Sequence, residues 1–246
     1  MDNTKYIALS RQMALWKQMN VVSNNVANMN TTGFKQEGTI FSTVVAQTLN
    51  AKDMGNDPVY FTQDLATYTD FLEGALVETG NTFDVALQGD GFFAVETDQG
   101  ISYTRKGNFT LDRNGMMVTT DGYPVLSQNN EPIFIAPTET EVVITEDGSV
   151  STENGIIGRL NVVKFADNNK LVKRADTMFD NVAGNQQTQA DDVRVVQRSL
   201  EKSNVNAVEE MAKLIQLQRS YDFVEQMIDE EHDRISNTIE TYSQLA

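Results

Sequence analysis

The sequence predicts an α+β chain: an antiparallel all-β central domain flanked by N- and C-terminal α-helices that pair as a coiled-coil-like stalk. Three observations carry that prediction. Apolar residues recur at heptad-like spacing through the opening segment, which holds no Pro and no Gly before Gly33. From Phe83 the periodicity becomes two, and Asx-Gly pairs punctuate it. Positions 207 to 246 again hold neither Gly nor Pro, and apolar residues return there at helical intervals. The expected organisation is a helix over 1–36, an extended connector over 37–82, a β domain over 83–185, and a C-terminal segment with a long helix over 186–246.

In the first helix, Ala8, Leu15, Met19, Val22, Val26 and Met29 share one face, while Lys5, Arg11 and Lys17 lie elsewhere. The stretch from Asn24 to Thr32 is rich in Asn and Thr, whose side chains compete for backbone hydrogen bonds and end the helix. Residues 37 to 82 show weak periodicity, hence the connector. In the β domain, Phe83, Val85 and Leu87 alternate with Asp84, Ala86 and Gln88, and further apolar clusters follow as far as Phe165. Asp90-Gly91, Asn114-Gly115, Asp121-Gly122, Asp147-Gly148 and Asn154-Gly155 suit the left-handed backbone of tight turns. In the last helix, Asn206 followed by Glu209 is a capping-box start. Met211, Leu214, Leu217, Tyr221, Val224 and Ile228 then form a stripe that Ile235, Ile239 and Tyr242 prolong. A narrow stripe suits a coiled-coil partner better than the flank of a globular core. One antiparallel pair would still be thin, so the stripe residues of both helices are expected to form an assembly interface with neighbouring copies.

Composition excludes several functions. With no cysteine, disulfides, thiol nucleophiles and thiolate metal sites are absent. A net charge of -16 argues against nucleic acid and against an anionic membrane surface, both of which need Lys and Arg. No apolar run is long enough for membrane insertion, and the opening residues lack the apolar core of a cleaved signal peptide.

No catalytic, cofactor-binding or metal-binding constellation emerges. The single histidine, His232, stands among Glu230, Glu231 and Asp233 and reads as a solvated helix surface. Gly89-Asp90-Gly91 lacks a phosphate-loop fingerprint and reads as a hairpin turn. Asp191-Asp192 and Glu230-Glu231 are adjacent acids that point apart, without the desolvated cleft that acid–base catalysis needs. Trp16 reads as a packing residue. An enzyme or an adhesin built on the β domain is the competing reading, and a deep pocket of converging polar groups or long parallel heptads would mark it.

The terminal and central motifs resemble the flagellar basal-body rod and hook family. At the N-terminus the resemblance rests on Tyr6-Ile7-Ala8-Leu9-Ser10-Arg11-Gln12, Asn24-Asn25-Val26-Ala27-Asn28 and Thr32-Gly33-Phe34-Lys35. In the middle it rests on Gly89-Asp90-Gly91-Phe92-Phe93 and on Tyr103-Thr104-Arg105-Lys106-Gly107-Asn108-Phe109. At the C-terminus it rests on the segment from Leu200 to Met211 and on Gln218-Arg219-Ser220-Tyr221. The opening residues are most similar to proximal rod members, with distal rod members the near alternative. The resemblance implies a structural subunit of a helical tube that transmits torque and surrounds an export channel. It implies self-association, contact with other rod proteins and with the flagellar export apparatus, and surrounding ring proteins as further neighbours. It also implies a place in the basal body within the periplasmic space, reached without a cleaved signal peptide.

Overall fold

The computed structural model describes residues 2–46 and 59–244, apart from 137, 140, 175, 176, 183 and 191. The chain divides into two compact units, one of Met1–Ala27, Glu37–Thr69 and Asn206–Ala246, the other of Asn28–Gln36 and Asp70–Val205.

The first unit contains helix α1 (Asp2–Ala27), strands β1 (Glu37–Ala46) and β2 (Val59–Thr69), and helix α2 (Ala207–Gln244). The two helices pair, and α1 also lies against both strands. The helix pair is antiparallel: Asn25, near the end of α1, meets Glu210, near the start of α2, whereas Ala8 and Leu15 cluster with Val224. Asn206 Oδ1 accepts from Glu209 N at 3.4 Å, the forward half of the expected capping box. The Glu209 carboxylate turns instead to Lys213, one helical turn on. Where weak periodicity suggests an extended connector, β1 and β2 form a hairpin, in register from Glu37↔Thr69 to Ala46↔Val59 with a bulge at Ile40/Phe41. The strands are rich in Thr, Val and aromatic residues, so their signal lies in β-propensity rather than alternation, and the bulge breaks the phase that alternation would need.

The second unit is an antiparallel β structure. In chain order its strands begin with β3 (Leu76–Glu78), β4 (Val85–Gln88), β5 (Phe92–Thr97), β6 (Gly100–Thr104), β7 (Phe109–Leu111) and β8 (Met117–Thr119). Next come β9 (Val142–Ile144), β10 (Ser149–Thr152), β11 (Gly155–Arg159), β12 (Val162–Phe165), β13 (Val172–Lys173) and β14 (Met178–Asp180). The series ends with β15 (Gln187–Gln189), β16 (Arg194–Gln197) and β17 (Ser199–Glu201). The widest sheet has the order β13-β14-β6-β5-β12-β15, and β9, β10 and β11 form a three-stranded sheet. Alternate residues of β5 point to opposite faces. Phe93 and Val95 enter the larger core, while Phe92 and Ala94 enter a second one beside Tyr103, Phe165 and Phe179. In that second core Phe71, Phe92 and Phe179 meet with centroids 5.2–5.8 Å apart, within the range where ring edges and faces attract.

Two expectations need correction here. The β unit does not stop near 185, because β15, β16 and β17 pair with β12, β4 and β3 respectively. Strands of three or four residues give too short a window for a period to show. Gly89-Asp90-Gly91 is not a hairpin turn either: it joins β4 to β5, which belong to different sheets. The Asn114-Gly115 turn between paired β7 and β8 behaves as predicted, with Gly115 at φ 87. Among the described residues no helix is long and apolar enough to cross a membrane.

Candidate functional site

The helical unit brings together six of the twelve predicted stripe residues. Ala8, Leu15 and Val224 are buried, with Leu217, Tyr221 and Ile228 packed partly buried against them. Val22 is buried, and Met19, Val26 and Leu214 are half-buried. Met29 falls past the end of α1, in the β unit, and Met211 is 44% exposed. These residues face one another within a single chain, as expected of helices that pair as a stalk. The side chains of Ile239 and Tyr242 lie outside the described residues. A second apolar set is left on the surface: Leu9, Met13 and Trp16 on α1, and Ile215, Phe223 and Met227 on α2. Trp16, expected to pack, is 57% exposed.

Polar residues fix the pair as firmly as the stripe does. Asn25 is fully buried; its Nδ2 donates to Glu37 O at 2.8 Å and to Glu210 Oε2 at 3.0 Å, and its Oδ1 accepts from Glu37 N at 3.0 Å. Glu210, also buried, takes a further hydrogen bond from Lys213 Nζ at 2.9 Å. A buried carboxylate is tolerated only with such partners, so this contact fixes the register of α1, β1 and α2.

The β unit holds a denser polar cluster. Lys35, Arg105 and Glu201 are each no more than 2% exposed. Glu201 Oε1 lies 2.6 Å from Lys35 Nζ, and Oε2 lies 3.2 Å from Arg105 Nη1. Gly74 N donates to the same carboxylate at 2.9 Å. Lys35 Nζ also reaches Leu72 O at 2.7 Å, and Arg105 Nη2 reaches Gly89 O at 2.7 Å. Burial pushes the Lys35 ammonium below its usual range, against the pull of Glu201, while the neighbouring Arg105 charge lowers it further. Two cations therefore share one buried carboxylate, and Arg105 Nε finds no hydrogen-bond acceptor.

The backbone is drawn in to match. Gly33 donates its N–H to Glu201 O at 2.8 Å and sits at φ +67, and a Cβ there would come within 2.6 Å of the Arg105 and Lys106 backbone. Only glycine fits. Asn204 ties two further backbone groups of the same unit: its Oδ1 accepts from Gln36 N at 2.8 Å and its Nδ2 donates to Asp70 O at 2.9 Å. These residues lie inside the motifs that carry the family resemblance, and no periodicity marks a role for them. The usable signal was the motifs themselves, which place Gly, Lys, Arg, Glu and Asn where an apolar stripe would not call for them.

None of this is a catalytic arrangement. His232 is exposed, and Glu231 beside it pairs with Arg234 at 2.5 Å. Asp90 Oδ1 accepts from Asn168 at 2.9 Å, and Asp192 pairs with Lys164 at 2.7 Å, while Asp191 lies outside the described residues. Among the described residues no group of His, Asp and Glu is placed to hold a metal ion.

Comparison with known proteins accounts for most of this architecture. Residues 6–35 match the flagella basal body rod protein family, 86–152 the D1 domain of flagellar hook protein FlgE/F/G, and 196–241 the C-terminal region of flagellar basal body rod FlgEFG proteins. The flagellar basal-body rod protein FlgF of Caulobacter vibrioides is 36% identical over 245 residues, covering 100% of both chains. FlgF of Rhizobium meliloti is 35% identical over 98% of each chain. FlgG of Bacillus subtilis is 32% identical over 88% of this chain and 90% of its own.

Proposed function

The chain belongs to the flagellar basal-body rod protein family, and from that premise we propose that it is a proximal-rod subunit whose helical unit assembles with further copies and other rod proteins into a tube. That it is a structural rod subunit rather than an enzyme, working in the flagellar basal body beside other basal-body components, follows from membership. Identity of 34–36% to three FlgF proteins, against 32–33% to the FlgG proteins, supports the proximal place.

One observation carries the assembly reading. The helix pair buries a single narrow seam and leaves Leu9, Met13, Trp16, Ile215, Phe223 and Met227 in solvent. An apolar surface of this kind, on helices with so small a core of their own, is what neighbouring subunits bury. The wider proposal follows from the same reading: the tube surrounds an export channel and transmits torque, ring proteins surround it, and the chain reaches the periplasm through the flagellar export apparatus without a cleaved signal peptide.

The test is complementation of a strain lacking its proximal rod subunit, scored by swimming and by electron microscopy of isolated basal bodies. Restored rods are the expected result. Complementation of a distal-rod mutant instead would reassign the position, and failure in both strains would remove the reading.

A further inference from the structure

Beside the seam, the helical unit carries an open groove lined by Arg11 of α1 and by Gln216, Arg219, Ser220, Phe223 and Met227 of α2. Phe223 and Met227 are 68% and 40% exposed. Arg11 and Arg219 have no ion-pair partner among the described residues, whereas Lys213 and Arg234 are each paired within their own helix. In a chain of net charge -16, two unpaired guanidinium groups over an apolar floor form a site for an acidic, partly apolar segment.

We propose that the groove receives the acidic distal part of α2 from a second copy of this chain, with Asp229, Glu230 and Asp233 of that copy opposite Arg11 and Arg219. The three acids are exposed and have no ion-pair partner among the described residues. The same chain cannot supply the contact at Arg219. Arg219 and Asp229 lie ten residues apart on one continuous helix, a separation of about 15 Å that a straight helix cannot fold back across. Charge also selects the orientation, since copies this acidic repel one another unless a basic patch meets an acidic one. Groove and acidic segment are different stretches of the same helix, so each contact joins the groove of one copy to the acidic stretch of another. This deepens the assembly reading and rests on it, naming which surfaces of successive subunits meet.

The test uses the absence of cysteine from the chain. Purified full-length Arg219→Cys and Asp233→Cys proteins are mixed at high concentration under a mild copper oxidant and resolved on a non-reducing gel. Both positions are exposed, so neither substitution disturbs the seam. The mixture should form disulfide-linked dimer at least about fivefold above either variant alone. Adding Arg11→Glu to the Arg219→Cys chain should lower the mixed yield up to about fivefold, the upper end for an exposed ion pair. Salt at about 1 M should lower it too, by screening. A mixed yield no greater than that of the separate variants overturns the proposal. Rods restored in cells without the mixed cross-link would remove the groove contact and leave the assembly reading. The cross-link without restored rods would support the contact and remove that reading.

Discussion

Lys35, Arg105 and Glu201 show how much a few side chains decide. Their cluster holds two cations and one carboxylate, so its members are not equivalent. Glu201→Gln leaves two buried cations facing each other and should cost ~3–5 kcal/mol, the usual penalty for orphaning a buried charge. Lys35→Met leaves a balanced Arg105–Glu201 pair and should cost less than half as much. Thermal melting of both purified variants checks this, and equal losses would show that Glu201 does not hold the balance. A second residue-scale expectation concerns acid. Ser149 and, less strongly, Thr145 donate hydrogen bonds to Asp147 and hold its carboxyl down to about 2, from 3.8. A carboxylate pKa depressed by folding adds stability that is present in full above 3.8 and lost as pH falls toward about 2. The melting difference between the wild type and Asp147→Asn should therefore be constant near neutrality and shrink below pH 3.8 as pH falls through about 2. At this scale the sequence was least legible. Apolar residues announce burial by period, but nothing in a period marks Lys35 or Glu201 as 1% exposed.

Elements were more legible, and the reason is length. Helices α1 and α2, of 26 and 38 residues, repeat their pattern often enough to be read, and the longer β strands alternate clearly. The β1–β2 hairpin and the short strands after residue 186 were not readable, because a bulge interrupts the one and brevity hides the others. The stripe residues were legible as a helix pair, but a heptad pattern states only that a face is covered, not how far the cover extends. Val224 and Phe223 separate the two uses. Val224→Asp places an unpaired carboxylate at a site 4% exposed, which costs several kcal/mol, and should unpair the helices. Phe223→Asp, at a site 68% exposed, should leave the pair intact and weaken only association between copies. Circular dichroism reads the first effect and sedimentation at rising concentration the second. Loss of helix signal in both variants would count against a division between inner seam and outer face.

For the whole molecule, the two units should differ in local stability. Among the described residues the β unit has two cores and a buried ion cluster, whereas the helical cluster rests on three buried apolar residues and three partly buried ones. So small a core does little to offset the chain entropy of helix formation, and local stability follows buried contact. Amide hydrogen exchange on the dilute monomer should show strong protection in β5, β6 and β12 and little in α1 or α2. Uniform protection would refute this. The order of helix, β domain and helix was legible because each has its own period. The division of the chain was not, because residues 28–36 and 187–205 join the β unit through hydrogen bonds between residues far apart in sequence. Those distances bear on how the protein comes to be folded. Lys35 and Arg105 meet Glu201 across sequence separations of 166 and 96 residues. Contacts that span so much chain form late. A polypeptide interrupted before residue 201 would carry both cations with no acid to receive them and would lack the carbonyl to which Gly33 bonds. The β unit thus verifies its own completeness: it reaches its final charge balance only when nearly all of its sequence is present.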